Sequence, residues 1–350
     1  MILIATDKFK GTLTAAEATY IIRDAVTTCQ PRADVTAIPV ADGGEGTAEV
    51  LAAVMGLRRH TVEARNAVGR PVEAVYFSDH RDRVALDAAT VLGLTLVDEA
   101  DRDVMHATSA PLGRLLRHII ERERPDEIYL GIGGTATSDG GAGMLHELGA
   151  TFCGVHAEIT PATLSQVSSV DLSTVIPLPA MHLLCDVDVP LVADGALPSA
   201  MTFAPQKGLR PEDGLALRAA LSHWSELIGC NSSFSGAGGG LISGLIGRFA
   251  PEYGADTMLT LAGVDALSPD IVITGEGCVD EQSVMGKITG RLATYAHRKG
   301  ARVIAIGGMV KPSPKLTATF DAIYSTLSTP ASTPAARLHL TALQVAEDVC

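Results

Sequence analysis

The chain has 350 residues, 47% hydrophobic and 19% charged, enough apolar material for two buried cores and far from the composition of a disordered chain. Its formal net charge is −13 and it shows no basic stripe, which argues against nucleic acid and against anionic membranes as partners. The six cysteines, Cys29, Cys153, Cys185, Cys230, Cys278 and Cys350, form no C-x-x-C pair or cluster, so no disulfide framework or zinc site is expected and a cytoplasmic setting follows. No leader-like start and no run of about 18 apolar residues occurs, so no membrane segment is expected.

In chain order, Ile2 to Ala5 is a short apolar run closed by Thr6 and Asp7, the pattern of a buried parallel strand. Thr14-Ala-Ala-Glu17 is a capping box that opens a helix toward Val26. A second strand over Val35 to Val40 runs into Ala41-Asp42-Gly43-Gly44-Glu45-Gly46, and a helix follows from Thr47 to Met55. This β-α-β-α rhythm is that of a parallel sheet covered by helices. Residues 60–88 then alternate about Gly69-Arg70-Pro71, as an antiparallel hairpin does. Helices are expected over Pro111–Arg122, Ala142–Leu148 and Pro211–Ile228, strands over Ile128–Ile132 and Met181–Cys185, and a further helix after the glycine-rich stretch Gly236–Gly244. The β-α rhythm returns with strands at Ile271–Thr274, Arg302–Ile306 and Ala322–Ser325 and helices at Gly286–His297 and Thr333–Val349. The expected architecture is α/β: a Rossmann- or flavodoxin-like parallel-sheet domain made from both chain ends, residues 1–62 with 262–350, and a second α/β domain inserted at 63–261.

Four apolar strands end in glycines and carboxylates: at Asp7, at Asp42-Gly43-Gly44-Glu45-Gly46, at Gly133-Gly134-Thr135 through Asp139-Gly140-Gly141, and at Gly275-Glu276-Gly277 through Asp280. Ligands of open α/β sheets bind beyond the carboxyl ends of strands, where glycines let backbone N–H groups reach phosphate and carboxylates hold Mg²⁺. One acidic glycine turn is ordinary turn chemistry, but four together point to a phosphate and metal site. Lys10 and Lys207 each lie beside a glycine in a loop, as a phosphate-binding point charge or as a solvated surface lysine. Of the alternating carboxylates Asp186 and Asp188, one is placed to face a cleft and the other to cap a turn. No G-x-x-x-x-G-K-[ST] loop occurs, and His80-Arg81-Asp82 lacks the other protein-kinase elements. The stretch from Gly131 to Ala136 matches a loose dinucleotide fingerprint without the acidic residue that should follow it.

These blocks resemble the bacterial glycerate kinases that are neither P-loop nor protein-kinase-like. The resemblance covers nearly the whole chain and rests on Phe9-Lys10-Gly11-Thr12, Asp42 to Thr47, Gly69-Arg70-Pro71, Gly133 to Leu145, Cys185-Asp186-Val187-Asp188, Pro205-Gln206-Lys207-Gly208, Gly236 to Gly240, and Thr274-Gly275-Glu276-Gly277 with Asp280, Gln282, Gly286 and Lys287. The chain departs from that pattern at Asp87 to Leu94, at Ser109 to Arg114, at Val189 and at Cys278. The resemblance implies ATP-dependent phosphorylation of D-glycerate to 2-phosphoglycerate, with Mg²⁺, in a cleft between the two domains. In that reading Lys10 and Lys207 neutralise phosphate oxygens and Asp186 accepts the hydroxyl proton. Arg70 clamps the substrate carboxylate with its planar fork. Gly133, Gly134, Thr135, Gly275 and Glu276 hold the nucleotide, and Asp42, Glu45 and Asp139 hold the metal. A kinase of a related small hydroxy acid, or a non-catalytic binding paralogue, is the alternative. A homodimer is an expectation that no residue in the sequence carries.

Overall fold

The computed structural model describes residues 1–195, 197–284 and 286–349. In chain order its strands are β1 (Ile2–Thr6), β2 (Val35–Ala37), β3 (Arg58–Arg65), β4 (Pro71–Ser78), β5 (Arg83–Asp87), β6 (Glu127–Gly131), β7 (Thr151–Cys153), β8 (Ser169–Asp171), β9 (Ala180–Cys185), β10 (Pro251–Tyr253), β11 (Ile271–Val279), β12 (Arg302–Val310) and β13 (Ala322–Ser325). The fold is the α/β class expected. The chain divides into two compact units, residues 1–42 with 254–350, and residues 43–253.

The terminal unit carries a five-stranded parallel sheet in the order β13-β12-β11-β1-β2. Counted along the unit's own chain this is the 2-1-3-4-5 order of flavodoxin-like folds, whose switch point lies between β1 and β11. The helix Ala15–Cys29 starts on the expected capping box: Thr14 Oγ1 accepts from Glu17 N, and Thr14 N donates to Glu17 Oε2 at 2.8 Å. Its apolar stripe (Ala18, Ile22, Ala25, Val26) packs with Ile4, Ile273, Ile304, Ile306 and Leu338. Val303 and Ala305, of opposite parity on β12, are also fully buried, so both faces of the sheet are covered. Leu3 and Ile4 are wholly buried, and truncating either to alanine is expected to cost about 2–5 kcal/mol.

The central unit has a mixed sheet in the order β10-β9-β6-β5-β4-β3, parallel from β10 through β5 and antiparallel from β5 to β3. The expected hairpin is β3–β4, closed by a turn in which Asn66 Oδ1 accepts from the N–H groups of Val68 and Arg70. Residues 43–62, expected with the terminal unit, belong here. The helix Thr47–Met55 packs on β4, β5 and β6, and it is tied to β5 because Asp87 accepts from Gly46 N at 2.8 Å and Ala48 N at 3.0 Å. A carboxylate at a helix N-terminus satisfies donors the helix cannot.

Three expectations differ in extent. The strand after residue 35 stops at Ala37. The stretch after Gly236 gives only a kinked turn, with Gly238 and Gly239 in left-handed conformations. The short pairs β7–β8 and β9–β10 were not anticipated, because three-residue strands carry little periodicity. Cys29, Cys153, Cys185, Cys230 and Cys278 are free thiols, and Cys350 lies outside the described residues. Among the described residues no helix is long and apolar enough to cross a membrane.

Candidate functional site

In the terminal unit three adjacent strands deliver one carboxylate each to the switch point. Asp7 follows β1, Glu276 lies one residue beyond the Thr6–Gly275 pair in β11, and Asp42 follows β2 after Val40 N donates to Thr6 O. All three are at least nine-tenths buried. Burial, then the charge of Asp42, then that of Glu276, push the Asp7 carboxyl up to about 7, against Lys8. Glu276 Oε2 accepts from Lys287 Nζ at 3.0 Å, while Glu276 Oε1 is buried with no hydrogen-bond partner among the described residues. Burial works against the Lys287 charge, but Glu276, Asp42 and Asp7 outweigh it and raise its pKa.

In the central unit Lys207 is the focus. It is 3% exposed, and its ammonium donates to Thr137 O at 2.6 Å, the one hydrogen-bond partner it has among the described residues. Burial lowers its pKa to about 8, opposed by Asp139 and then Asp186. Gly239 makes this approach available: a Cβ there would stand 2.1 Å from Thr137 O and 2.8 Å from Lys207 Nζ, and its φ of +77° favours glycine. Asp186, at the end of β9, lies against Gly133, where a Cβ would stand 2.7 Å from Asp186 Oδ2 and 2.8 Å from Gly44 Cα. The other carboxylate of the pair, Asp188, accepts from Ser233 Oγ and Phe234 N. Of the two alternatives, Asp188 is the turn cap and Asp186 the one beside Lys207.

Several expected site residues do something other than foreseen. Asp139 Oδ2 accepts from Ser109 N and Ser109 Oγ, both at 2.7 Å, and from Gly143 N, while Oδ1 accepts from Gly141 N. Its oxygens are committed to holding the Gly140–Gly143 turn, and burial raises its pKa against those donors. Among the described residues no three His, Cys, Asp or Glu side chains are grouped so as to hold a metal ion, so Asp42, Glu45 and Asp139 are not assembled as a ligand set. Glu45 Oε1 instead meets Thr95 Oγ1 at 3.5 Å. Gly133 N donates to Gly43 O and Gly134 O accepts from Leu94 N, and Thr135 Oγ1 donates to Gly238 O, so this loop spends those groups on its own fold. Gly275 sits inside the β1–β11–β12 ladder, where a Cβ would stand 2.3 Å from Ile306 O. Arg70 has its guanidinium engaged by Asp101 at 2.8 Å and Asp98 at 3.5 Å. Lys10 is exposed on the loop after β1, and Gly277 packs against its backbone N–H.

Asp7, Asp87 and Lys287 were not singled out for a role in the sequence. Asp7 ends a buried apolar strand, which is the signal that marks such a position.

A model of the Glycerate kinase family matches residues 2–347. A glycerate kinase of Halalkalibacterium halodurans is 34% identical over 325 residues, 88% of this chain and 85% of that one. A glycerate 2-kinase of Escherichia coli K12 is 32% identical over 348 residues, 93% of this chain and 90% of that one. The crystal structure of a Salmonella typhimurium LT2 protein assigned as glycerate kinase 2 superposes with a TM-score of 0.80 at 31% identity, over 99% of this chain and 97% of that one.

Proposed function

The chain belongs to the glycerate kinase family, and on that premise we propose that it transfers the γ-phosphoryl group of ATP to D-glycerate, giving 2-phosphoglycerate. Members are phosphotransferases, and the finer assignment rests on the central unit. The observation that carries it is the buried Lys207 ammonium, held by Thr137 O with the Asp186 carboxylate near enough to raise its pKa.

Phosphoryl transfer asks for a cation on the moving oxygens and an acceptor for the hydroxyl proton. Lys207 has donated one N–H to Thr137 O, which leaves its other hydrogens for phosphate oxygens. In a buried site such a preset donor acts in low dielectric, where it contributes more than in water. Asp186 takes the substrate hydroxyl proton as the new O–P bond forms and the bond from the γ-phosphorus to the β,γ-bridging oxygen breaks. Asp139 acts as a positioning residue: it fixes the turn that follows Thr137, and Ser109 fixes Asp139.

Mg²⁺ fits the terminal unit's acidic row. The buried Glu276 Oε1 lacks a partner among the described residues, and Asp7 and Asp42 carry the neighbouring carboxylates. Mg²⁺ keeps several waters and needs only one or two carboxylates beside substrate phosphates, which is compatible with the absence of a complete ligand cage. When bound it supplies charge neutralisation of the phosphate oxygens. The cytoplasmic setting and the homodimer remain parts of the proposal, the latter checked by light scattering on the purified chain.

Incubation with ATP, Mg²⁺ and D-glycerate, read by phosphorus NMR, tests the reading. Mg²⁺-dependent 2-phosphoglycerate is expected. A 3-phosphoglycerate product overturns the regiochemistry, and no product from folded protein overturns the substrate.

A further inference from the structure

The terminal unit holds a second feature outside the carboxylate row. A pocket of about 180 Å³ opens at the carboxyl ends of β1, β11 and β12 and of β13, bordered by Lys10, Gly277, Gly308, Met309, Leu327 and Arg337 among others. Its floor is backbone. A Cβ on Gly277 would stand 2.8 Å from Lys10 N, and one on Gly308 would stand 2.5 Å from Gly277 O, so neither position has room for a side chain. Thr326 Oγ1 donates to Gly308 O and pins the segment after β13 to this floor.

Two properties of the lining select a ligand class. First, Met309 and Leu327 are 45% and 58% exposed, large apolar side chains left uncovered on an otherwise well-buried unit. Second, no carboxylate borders the pocket in a chain of net charge −13, while two cations do. Neither Lys10 nor Arg337 has an ion-pair partner among the described residues, and Arg337 Nε is buried without a hydrogen-bond acceptor. An anion with a flat apolar portion satisfies both features. Glycerate has no apolar portion to cover Met309 and Leu327. The volume lies below that of sites enclosing a whole drug-sized ligand, so the pocket takes one part of a larger molecule. In open α/β sheets that part enters just beyond the strand ends, as here.

We infer that this pocket is the seat of the nucleotide base and ribose, with Met309 and Leu327 covering the base and Lys10 and Arg337 facing the phosphates. The inference rests on the kinase reading above for the identity of the nucleotide as ATP, and it moves Lys10 from the transferring phosphoryl group to nucleotide binding.

Calorimetric titration of the full chain with ADP tests it, using Leu327→Asp and Met309→Asp, two exposed positions where a carboxylate leaves the fold intact. Each variant is expected to weaken ADP binding and to raise the KM for ATP by about tenfold or more, since a buried charge would face an apolar ring and sit near phosphate. The KM for D-glycerate stays at its wild-type value, and Leu215→Asp, at an exposed apolar position elsewhere, leaves ADP binding unchanged. Inorganic triphosphate binding should fall in Arg337→Gln. Unchanged ADP affinity in both aspartate variants overturns the pocket. A wild type that phosphorylates glycerate while the variants keep their KM for ATP overturns the pocket alone. A wild type that binds ADP in this pocket yet makes no phosphorylated glycerate supports the pocket and overturns the kinase reading.

Discussion

The Lys207 ammonium meets the Thr137 carbonyl at 2.6 Å although 70 residues separate them in the chain. Replacing Lys207 by Met keeps length and apolar bulk while removing the charge. We expect kcat to fall by about 10²- to 10³-fold, the usual loss for one preset electrostatic donor. The variant should fold at least as well as the wild type, because a buried charge is removed. Wild-type kcat/KM should decline above pH about 8 as the ammonium loses its proton. The stability sign is opposite to the activity sign. From about 8 in the folded chain to the ordinary 10.5 in the unfolded chain, the unfolded form holds the extra proton, so this group's contribution to stability rises with pH. Urea midpoints at pH 7.5 and pH 10 should show that rise in the wild type and not in Lys207→Met.

Asp139 separates a structural role from a metal role. Asn at this position would turn an NH₂ group toward N–H and O–H donors, and we expect a loss of about 2–3 kcal/mol in urea unfolding. Wild-type stability in Asp139→Asn with loss of Mg²⁺-dependent activity would show that Asp139 serves the metal after all.

Gly133→Ala addresses the Asp186 carboxylate by steric means. The methyl would stand 2.7 Å from Asp186 Oδ2 with Gly44 backbone behind it, so the carboxylate must move. Turnover should drop by about tenfold or more, the sensitivity of catalytic groups to displacements near 1 Å. Retained kcat would remove Asp186 from the proton-accepting role.

Asp7 gives a pH signature in metal-free buffer. Its carboxyl is held up at about 7 by burial and by Asp42, against an ordinary 3.8. Its contribution to stability is therefore full below about 3.8 and is lost as pH rises through about 7. Asp7→Asn keeps an oxygen for Lys8 N and removes the charge. It should match the wild type near pH 4 and exceed it in melting temperature at pH 8. Equal melting temperatures at pH 8 would contradict the crowding of charge in the acidic row.

The sequence made local features legible. The capping box at Thr14, the hairpin about Gly69, the parallel strands and the division of labour between Asp186 and Asp188 follow from patterns a few residues long. What it left hidden depends on residues far apart. Glu276 joins Asp7 because β11 pairs with β1, and Lys287 reaches back to that row. Asp139 reads as a metal ligand until Ser109 is brought to it from another helix terminus. The helix Thr47–Met55 looks like a partner of β2, but the carboxylate that satisfies its first turn is Asp87. Glycines at strand ends are visible in the sequence, yet whether each admits a ligand or a neighbouring backbone is a matter of packing. At Gly133, Gly239 and Gly275 the close neighbour is the protein itself.

The pairing of β1 with β11 bears on biosynthesis. The central unit, residues 43–253, is complete as nascent chain before any residue of β11 has been made. At ordinary translation rates β1 waits roughly ten seconds to a minute for its partner, an uncovered apolar segment at the ribosome throughout. The newborn N-terminus is thus the part of this protein most exposed to chaperones, and a release of the chain short of β11 would leave a folded central unit trailing a sticky, unpaired leader.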